Sequence, residues 1–183
     1  MRVPRTFVFV DISGFTNFTN ENGDDAAGRL LASWRAVTRE VASETGVRIA
    51  KWLGDGCMIV AVDQRDAITF ALELQKRSGA ACAPLSIRVG MASGLALLFE
   101  GDDYIGTAVN MAARLCDAAG SFEVIIPSEH IENLPEGVVA TPHESMSLRG
   151  LNEAIPVVSL TGEATNAARN DTGELWTRSP FVL

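Results

Sequence analysis

Three short stretches of this chain carry side chains with chemistry in them: FVFVDISGFT (7–16), KWLGDG (51–56) and DYIGTAVNMAAR (103–114). In the first, Asp11 ends an apolar run and is followed by Ser13, Gly14, Phe15 and Thr16. An acid at a strand end, beside a turn with free backbone amides, can hold a metal while those amides receive phosphate oxygens. The same Asp would equally serve as a plain helix cap. Asp55 lies between Gly54 and Gly56, and Asp-Gly is ordinary turn chemistry. Paired with Asp11, it supplies the second carboxylate of a Mg²⁺ site completed by phosphate oxygens.

In the third stretch Asn110 and Arg114 stand four apart on an expected helix, hence on one face. That face is read as distinct from the one carrying Val109, Ala113 and Cys116. An isolated Arg is by default a solvated residue, but a planar five-donor cation also suits a phosphoryl transition state. Lys51 and Asp55 are also four apart, in extended rather than helical surroundings. Four strand residues span about 13 Å, so no direct ion pair between them is expected.

The elements that must position these residues follow from the hydrophobic pattern. TFVFVDI (6–12) reads as a central strand. From Asp24 to about Thr45 the residues Ala27, Leu30, Leu31, Trp34, Val37 and Val41 recur at helical spacing, with Arg29, Arg35, Arg39 and Glu40 largely between them. VRIAKWL and CMIVAV flank the Gly54–Gly56 turn as a hairpin. Residues 64–79 form a second helix that stops at Gly79, and LSIRVGMAS alternates as a half-buried strand. Strand, helix, hairpin, helix, strand is an α+β, ferredoxin-like βαββαβ order with helices on one face. The expectation is that its first and second strands are neighbours, so that Asp11 and Asp55 converge at one sheet edge.

Beyond this core come an apolar connection (Leu95 to Phe99), an acidic turn (Glu100 to Asp103) and a helix through VNMAARLCDAA. EVIIPS, ESMSLRG and AIPVVSL read as further strands, with SEHIENL as a short helix between them. One domain is expected over 1–162, with 163–183 as a polar tail docked by Trp176 and Phe181.

Bulk properties narrow the class. The 183 residues are 47% hydrophobic and 21% charged, enough for one globular core. A net charge of −8 gives no global reason to coat nucleic acid or an anionic membrane. An anionic small ligand remains compatible, because local cations and a divalent metal can dominate a pocket. Neither a secretory h-region nor a membrane-length apolar run occurs, so a cytoplasmic location is expected. Cys57, Cys82 and Cys116 are odd in number and set among apolar neighbours, as buried thiols are. The P-loop, G-x-S-x-G, H-E-x-x-H and C-x-x-C signatures are absent.

FVFVDISGFT, KWLGDG and DYIGTAVNMAARL, in this order and with these separations, resemble the catalytic domain of class III nucleotidyl cyclases. The similarity runs from about Thr6 to Leu160, and the short connection from Gly94 to Asp103 resembles the actinobacterial class IIIc subgroup. The resemblance implies an adenylyl cyclase that makes 3′,5′-cyclic AMP and pyrophosphate from ATP with two Mg²⁺ or Mn²⁺ ions. Asp11 and Asp55 match its metal-binding aspartates, with the Ile12 carbonyl as a further ligand and the amides of Ser13, Gly14, Phe15 and Thr16 near the triphosphate. Lys51 and Asp103 match the pair that reads the adenine edge, and Asn110 and Arg114 match the transition-state pair. The family also implies a homodimer with sites at the interface. Arg149 lies in the strand region of a further phosphate contact but matches no motif. Two other readings stand beside this one. The first is a catalytically silent cyclase-like module that binds nucleotide or pairs with another chain. The second is a diguanylate cyclase, whose Gly-Gly-Glu-Glu-Phe signature is missing.

Overall fold

In a computed structural model the described residues are 1–99, 103–131, 134–148 and 153–162. The expected core is present: β1 (Arg2–Ser13), α2 (Asp24–Thr45), β2 (Arg48–Leu53), β3 (Gly56–Ala61), α3 (Gln64–Ala81) and β4 (Ser86–Phe99). An additional helix, α1 (Phe15–Asn22), precedes α2. The chain continues through β5 (Asp103–Ile105), α4 (Thr107–Ala118), β6 (Val124–Pro127), β7 (Val138–Pro142) and β8 (Val157–Gly162). Among the described residues these strands make one eight-stranded sheet, ordered β2-β3-β1-β4-β6-β8-β7, with β5 paired to β4.

Several expectations need correction. The neighbour of β1 in the hairpin is β3, not the second strand, and β2 is the outer strand. Asp11 still meets the Asp55 turn, because it lies opposite Gly56, the residue after Asp55. The meeting point is therefore an end of central strands rather than a sheet edge. Leu95 to Phe99 is no connection but the continuation of β4, which β1 accompanies back to Arg2 and β5 flanks on its other side. α3 passes through Gly79, which does not adopt the left-handed φ of a C-capping glycine, and ends at Ala81. Among the described residues, the region of ESMSLRG contributes only a Met146–Ile155 bridge, whereas the strand lies earlier, at β7. The short helix in SEHIENL is a single 3₁₀ turn over Ser128–His130. Arg149 and residues 163–183, with the proposed docking of Trp176 and Phe181, lie outside the described residues.

The alternation of β1 divides the core into two layers. Val8, Val10 and Ile12 face α2 and α3, where Trp34, Val41, Phe70 and Leu74 are buried with them. Phe7, Met58, Val60, Ala92 and Ala96 face the other way and pack on Ala108 and Ala112 of α4. α4 thus covers the face opposite α2 and α3. Its buried residues are Ala108, Ala112, Leu115 and Cys116, while Val109 and Ala113 are only half-buried, a rotation from the expected core face. By the alternation of β1, Asp11 lies on the α4 side.

The approach of α4 to the sheet is set at Gly90. A Cβ there would overlap the Cys116 amide nitrogen and lie 2.5 Å from the Ala112 carbonyl oxygen. Both are backbone atoms that cannot rotate away. Gly90→Ala is therefore expected to push α4 off β4 and cost about 1–3 kcal/mol, the usual range for overpacking. Urea unfolding checks this: a lower midpoint with unchanged slope is expected.

Candidate active site

Asp11 sits between two cross-strand neighbours, Gly56 on β3 and Arg88 on β4. The Arg88 guanidinium donates from Nε and Nη2 to the same carboxylate oxygen, Oδ2, at 2.9 and 2.7 Å. Its Nη1 donates to the Asp117 carbonyl at 2.8 Å, placing a cation near the C-terminal end of α4 where the helix dipole favours one. The other carboxylate oxygen, Oδ1, faces the hairpin, 3.4 Å from where a Cβ on Gly56 would lie. That same Cβ would be 2.7 Å from the Val10 carbonyl, so only glycine lets β3 come this close to β1.

Asp55 is tied to β1 by its carbonyl, which accepts the Ile12 N–H at 3.3 Å. Burial raises the Asp11 pKa above the ordinary carboxylate value, and the charges of Asp55 and Asp117 push in the same direction, while Arg88 opposes them. A buried carboxylate with one oxygen turned toward the turn of a second carboxylate fits a divalent cation completed by ligand oxygens. Among the described residues no cluster of three or more His, Cys, Asp or Glu forms a closed metal site. The cysteines do not contribute thiolates: burial pushes Cys116 up to about 12, and Cys57 is raised by the same cause.

Ser13 ends β1, and Gly14, at φ +81°, turns the chain into α1. This cap supplies no side-chain hydrogen bond, so the first-turn amides that follow Gly14 lack intrahelical acceptors. A cavity of about 260 Å³ opens next to the carboxylate, lined in part by Asp11, Leu53, Gly56, Ala113, Cys116 and Asp117. A second concavity of about 270 Å³, between Pro4, Gln64, Ser93 and His130, is bordered by the N-terminal half of β1, away from Asp11. Its Thr6, Gln64 and Ser93 side chains bond one another.

Lys51 and Asp103 meet directly as an ion pair, each about half exposed. A β-bulge makes this possible. The β2–β3 register steps from Ile49↔Ile59 to Lys51↔Met58, leaving Ala50 as the extra residue. Without that step Lys51 would share the face of Ile49, toward α2. With it, Lys51 shares the face of Met58, toward α4, where β5 presents Asp103. Tyr104, next to Asp103, is fixed edge-on to Phe7 at 5.4 Å.

Asn110 is exposed and Arg114 half-buried on α4, and among the described residues neither side chain has a hydrogen-bond or ion-pair partner. The cavity at Asp11 is lined by none of Lys51, Asp103, Asn110 or Arg114. Within one chain, Asp11 thus lies beside the Asp55 turn and Lys51 meets Asp103, while Asn110 and Arg114 on α4 bond neither pair. Arg88 escaped the sequence reading, although a lone cation at an outward position of LSIRVGMAS, in a strand adjacent to that of Asp11, is the signal that would have found it.

The family described as the adenylate and guanylate cyclase catalytic domain matches residues 4–161. The chain belongs to this family of class III nucleotidyl cyclases. The cyclase domain is 31% identical over 152 residues to an uncharacterized protein of Mycobacterium tuberculosis, a match covering 83% of this chain and 40% of the relative. It is 30% identical over 126 residues to an adenylate cyclase of Streptomyces coelicolor, covering 69% of this chain and 33% of that protein. The chain thus spans well under half the length of these curated relatives. Its fold matches the adenylyl cyclase CyaB from P. aeruginosa with a TM-score of 0.76 at 23% identity, over 88% of this chain and 95% of that one. It also matches the guanylate cyclase domain of RhGC from Catenaria anguillulae with a TM-score of 0.75 at 20% identity, over 88% and 98% of the two chains.

The raised pKa of Asp11 predicts a stability signature. A carboxyl whose folded pKa lies above its unfolded value destabilises the fold once pH exceeds both, and has no such effect when both states are protonated. Asp11→Asn is thus expected to melt no lower than the original chain at neutral pH. Any advantage should shrink as pH falls through the carboxylate range, and thermal melts of both proteins from neutral to acid pH check this.

Proposed function

We propose that this cyclase domain converts ATP to 3′,5′-cyclic AMP and pyrophosphate as a homodimer, with 1–162 as the catalytic unit. The observation that supports this is that, within one chain, the cavity at Asp11 is lined by none of Lys51, Asp103, Asn110 and Arg114. Asp11 and Asp55 line one half-site; Lys51 with Asp103, and Asn110 with Arg114, make the other. Two copies about a two-fold axis bring unlike halves together twice. The exposed apolar side chains of Leu53, Phe99 and Ile105 supply surface for such an association.

Asp11, Asp55 and the Ile12 carbonyl would hold two divalent ions, Mg²⁺ or Mn²⁺, whose chemistry is to acidify the 3′-hydroxyl and neutralise the triphosphate. The amides of Ser13, Gly14, Phe15 and Thr16 receive phosphate oxygens. Arg88, already bonded to Asp11, can turn to the phosphates once the carboxylate has another counter-ion. Lys51 donates to adenine N1, an acceptor, while Asp103 accepts from the N6 amine, so the partners of today's ion pair read the base edge together. Asn110 orients the ribose. The 3′-hydroxyl gives its proton to solvent, its oxygen bonds the α-phosphorus as the bond from that phosphorus to the α–β bridging oxygen breaks, and pyrophosphate leaves with the electron pair. Arg114 offsets the charge redistributed around the α-phosphoryl group.

An assay for cyclic AMP from ATP with Mg²⁺ or Mn²⁺ tests the reading. Turnover is expected, and absence of product with either metal would leave the silent nucleotide-binding module as the better account. Asp11→Ala and Arg114→Ala, each inactive alone, are expected to recover activity when mixed, because one heterodimer site is then intact. Heterodimers that form without any recovery would sink the shared-site arrangement. Lys51→Glu combined with Asp103→Cys is expected to shift preference from ATP toward GTP, since guanine presents donors at N1 and N2 where adenine presents an acceptor at N1. Ratios of kcat/KM for the two nucleotides report it.

A further inference from the structure

The turn that carries Asp55 is held from the far side of the sheet. Gly54 and Asp55 are the two residues between the paired Leu53 and Gly56, and Gly54 has φ +68° while Asp55 does not enter the left-handed region. This is the pattern of a II′ hairpin, with glycine at the first central position. The carbonyl of that position has no partner in the ladder. A Cβ built on Gly54 would touch nothing within 4 Å, so packing does not fix this residue either.

What reaches it is Arg35 of α2, whose Nη2 donates to the Gly54 carbonyl at 2.7 Å. The guanidinium lies over the Trp52 ring at 4.9 Å, a cation–π contact. Trp52 is held edge-on, at 77° and 5.7 Å, by Trp34, which is fully buried beside Arg35 on the same helix. Arg35 Nε is buried and, among the described residues, has no hydrogen-bond partner. An unpaired buried donor is normally eliminated because it destabilises the fold. Its retention here fits a guanidinium oriented for its other end. Arg39 stacks on the same Trp52 ring at 5.1 Å, but no hydrogen bond from it to the turn is present.

We propose that Arg35 is a positioning residue for Asp55: by gripping the Gly54 carbonyl from α2 it fixes the turn and hence the carboxylate. The inference rests on the reading of Asp55 as a metal-binding carboxylate. The peptide before Asp55 is tied to α2, and the peptide after it is tied to β1 through the longer 3.3 Å bond from Ile12. Without Arg35 the peptide before Asp55 has no tie of its own beyond the ladder pairing of Leu53 with Gly56, and Asp55 loses its alignment with Asp11.

The test uses Arg35→Met, Arg35→Lys and, as a control for packing on Trp52, Arg39→Met. Mn²⁺ binding is followed by electron paramagnetic resonance in the presence of 3′-deoxy-ATP, which lacks the attacking hydroxyl, so no turnover is involved. Arg35→Met is expected to weaken Mn²⁺ binding about tenfold, equivalent to about 1.4 kcal/mol. Arg35→Lys, still able to donate to the carbonyl, should recover most of that loss, and Arg39→Met should bind Mn²⁺ as the original chain does. Amide exchange at Gly54–Cys57, measured without metal, should quicken in Arg35→Met and not in Arg39→Met. Unchanged Mn²⁺ affinity in Arg35→Met, or equal losses in the two Met variants, would overturn the positioning role. Failure of the original chain to bind Mn²⁺ would overturn the metal reading of Asp55, and this inference with it.

Discussion

The site depends on placing one carboxylate inside a sheet, between a glycine and an arginine. Asp11 is flanked in register by Gly56 and Arg88, and each neighbour answers a different physical requirement. Gly56 removes the side chain that would collide with the β1 backbone and crowd Oδ1. Arg88 supplies the counter-charge on Oδ2 that offsets part of the desolvation cost. Burial still prevails, since the Asp11 pKa stays raised. A group kept ionisable at a net cost to the fold is what functional sites characteristically hold.

Much of the architecture follows from that constraint. To flank Asp11 on both sides, β1 must be central, which the βαββαβ order achieves by inserting β1 between β3 and β4. The alternation that sends Val8, Val10 and Ile12 to α2 and α3 sends Asp11 to the opposite face, where α4 lies. Gly90 lets that helix pack against the sheet backbone, and Arg88 ties its C-terminal end to Asp11 through Asp117. The surroundings of Asp11 thus stand on elements whose spacing is set by backbone contact rather than by adjustable side chains. Such rigidity matters for groups that must align to a fraction of an ångström.

The hydrophobic periodicities made the core elements legible, because α2, α3 and the hairpin each have a long, regular pattern. Residues with weak local signals were not. α1 is built from FTNFTNEN, whose Thr and Asn favour turns and whose Phe15 and Phe18 alone mark an inward face. Leu95 to Phe99 lost its strand character in the sequence because its burial is uneven, and the pairing with β1 and β5 that extends it is non-local. The meeting of Lys51 with Asp103 depends on the bulge at Ala50, and a single extra residue reverses the face of everything after it. Arg35 read as one of several polar residues on an amphipathic helix. Only the tertiary position of Gly54 distinguishes it from Arg29.

The two polar groups also differ in how much of their environment one chain provides. Asp11 and Asp55 have a cavity, a cation and ordered backbone bonds around them. Lys51 and Asp103 have chiefly each other, half in water, and Asn110 and Arg114 have no side-chain partner among the described residues. An exposed ion pair contributes little stability, so separating Lys51 from Asp103 costs little. Among the described residues Arg114 has no hydrogen bond or ion pair that a ligand would have to displace. On the proposed reading, the half with Lys51 and Asp103 is poised to exchange weak contacts for strong ones, while the carboxylate half is already fixed. Under the dimer reading, each assembled site joins one preorganised half to one adaptable half. Discrimination between nucleotides then rests with the adaptable side, and the rigid side governs the geometry of phosphoryl transfer.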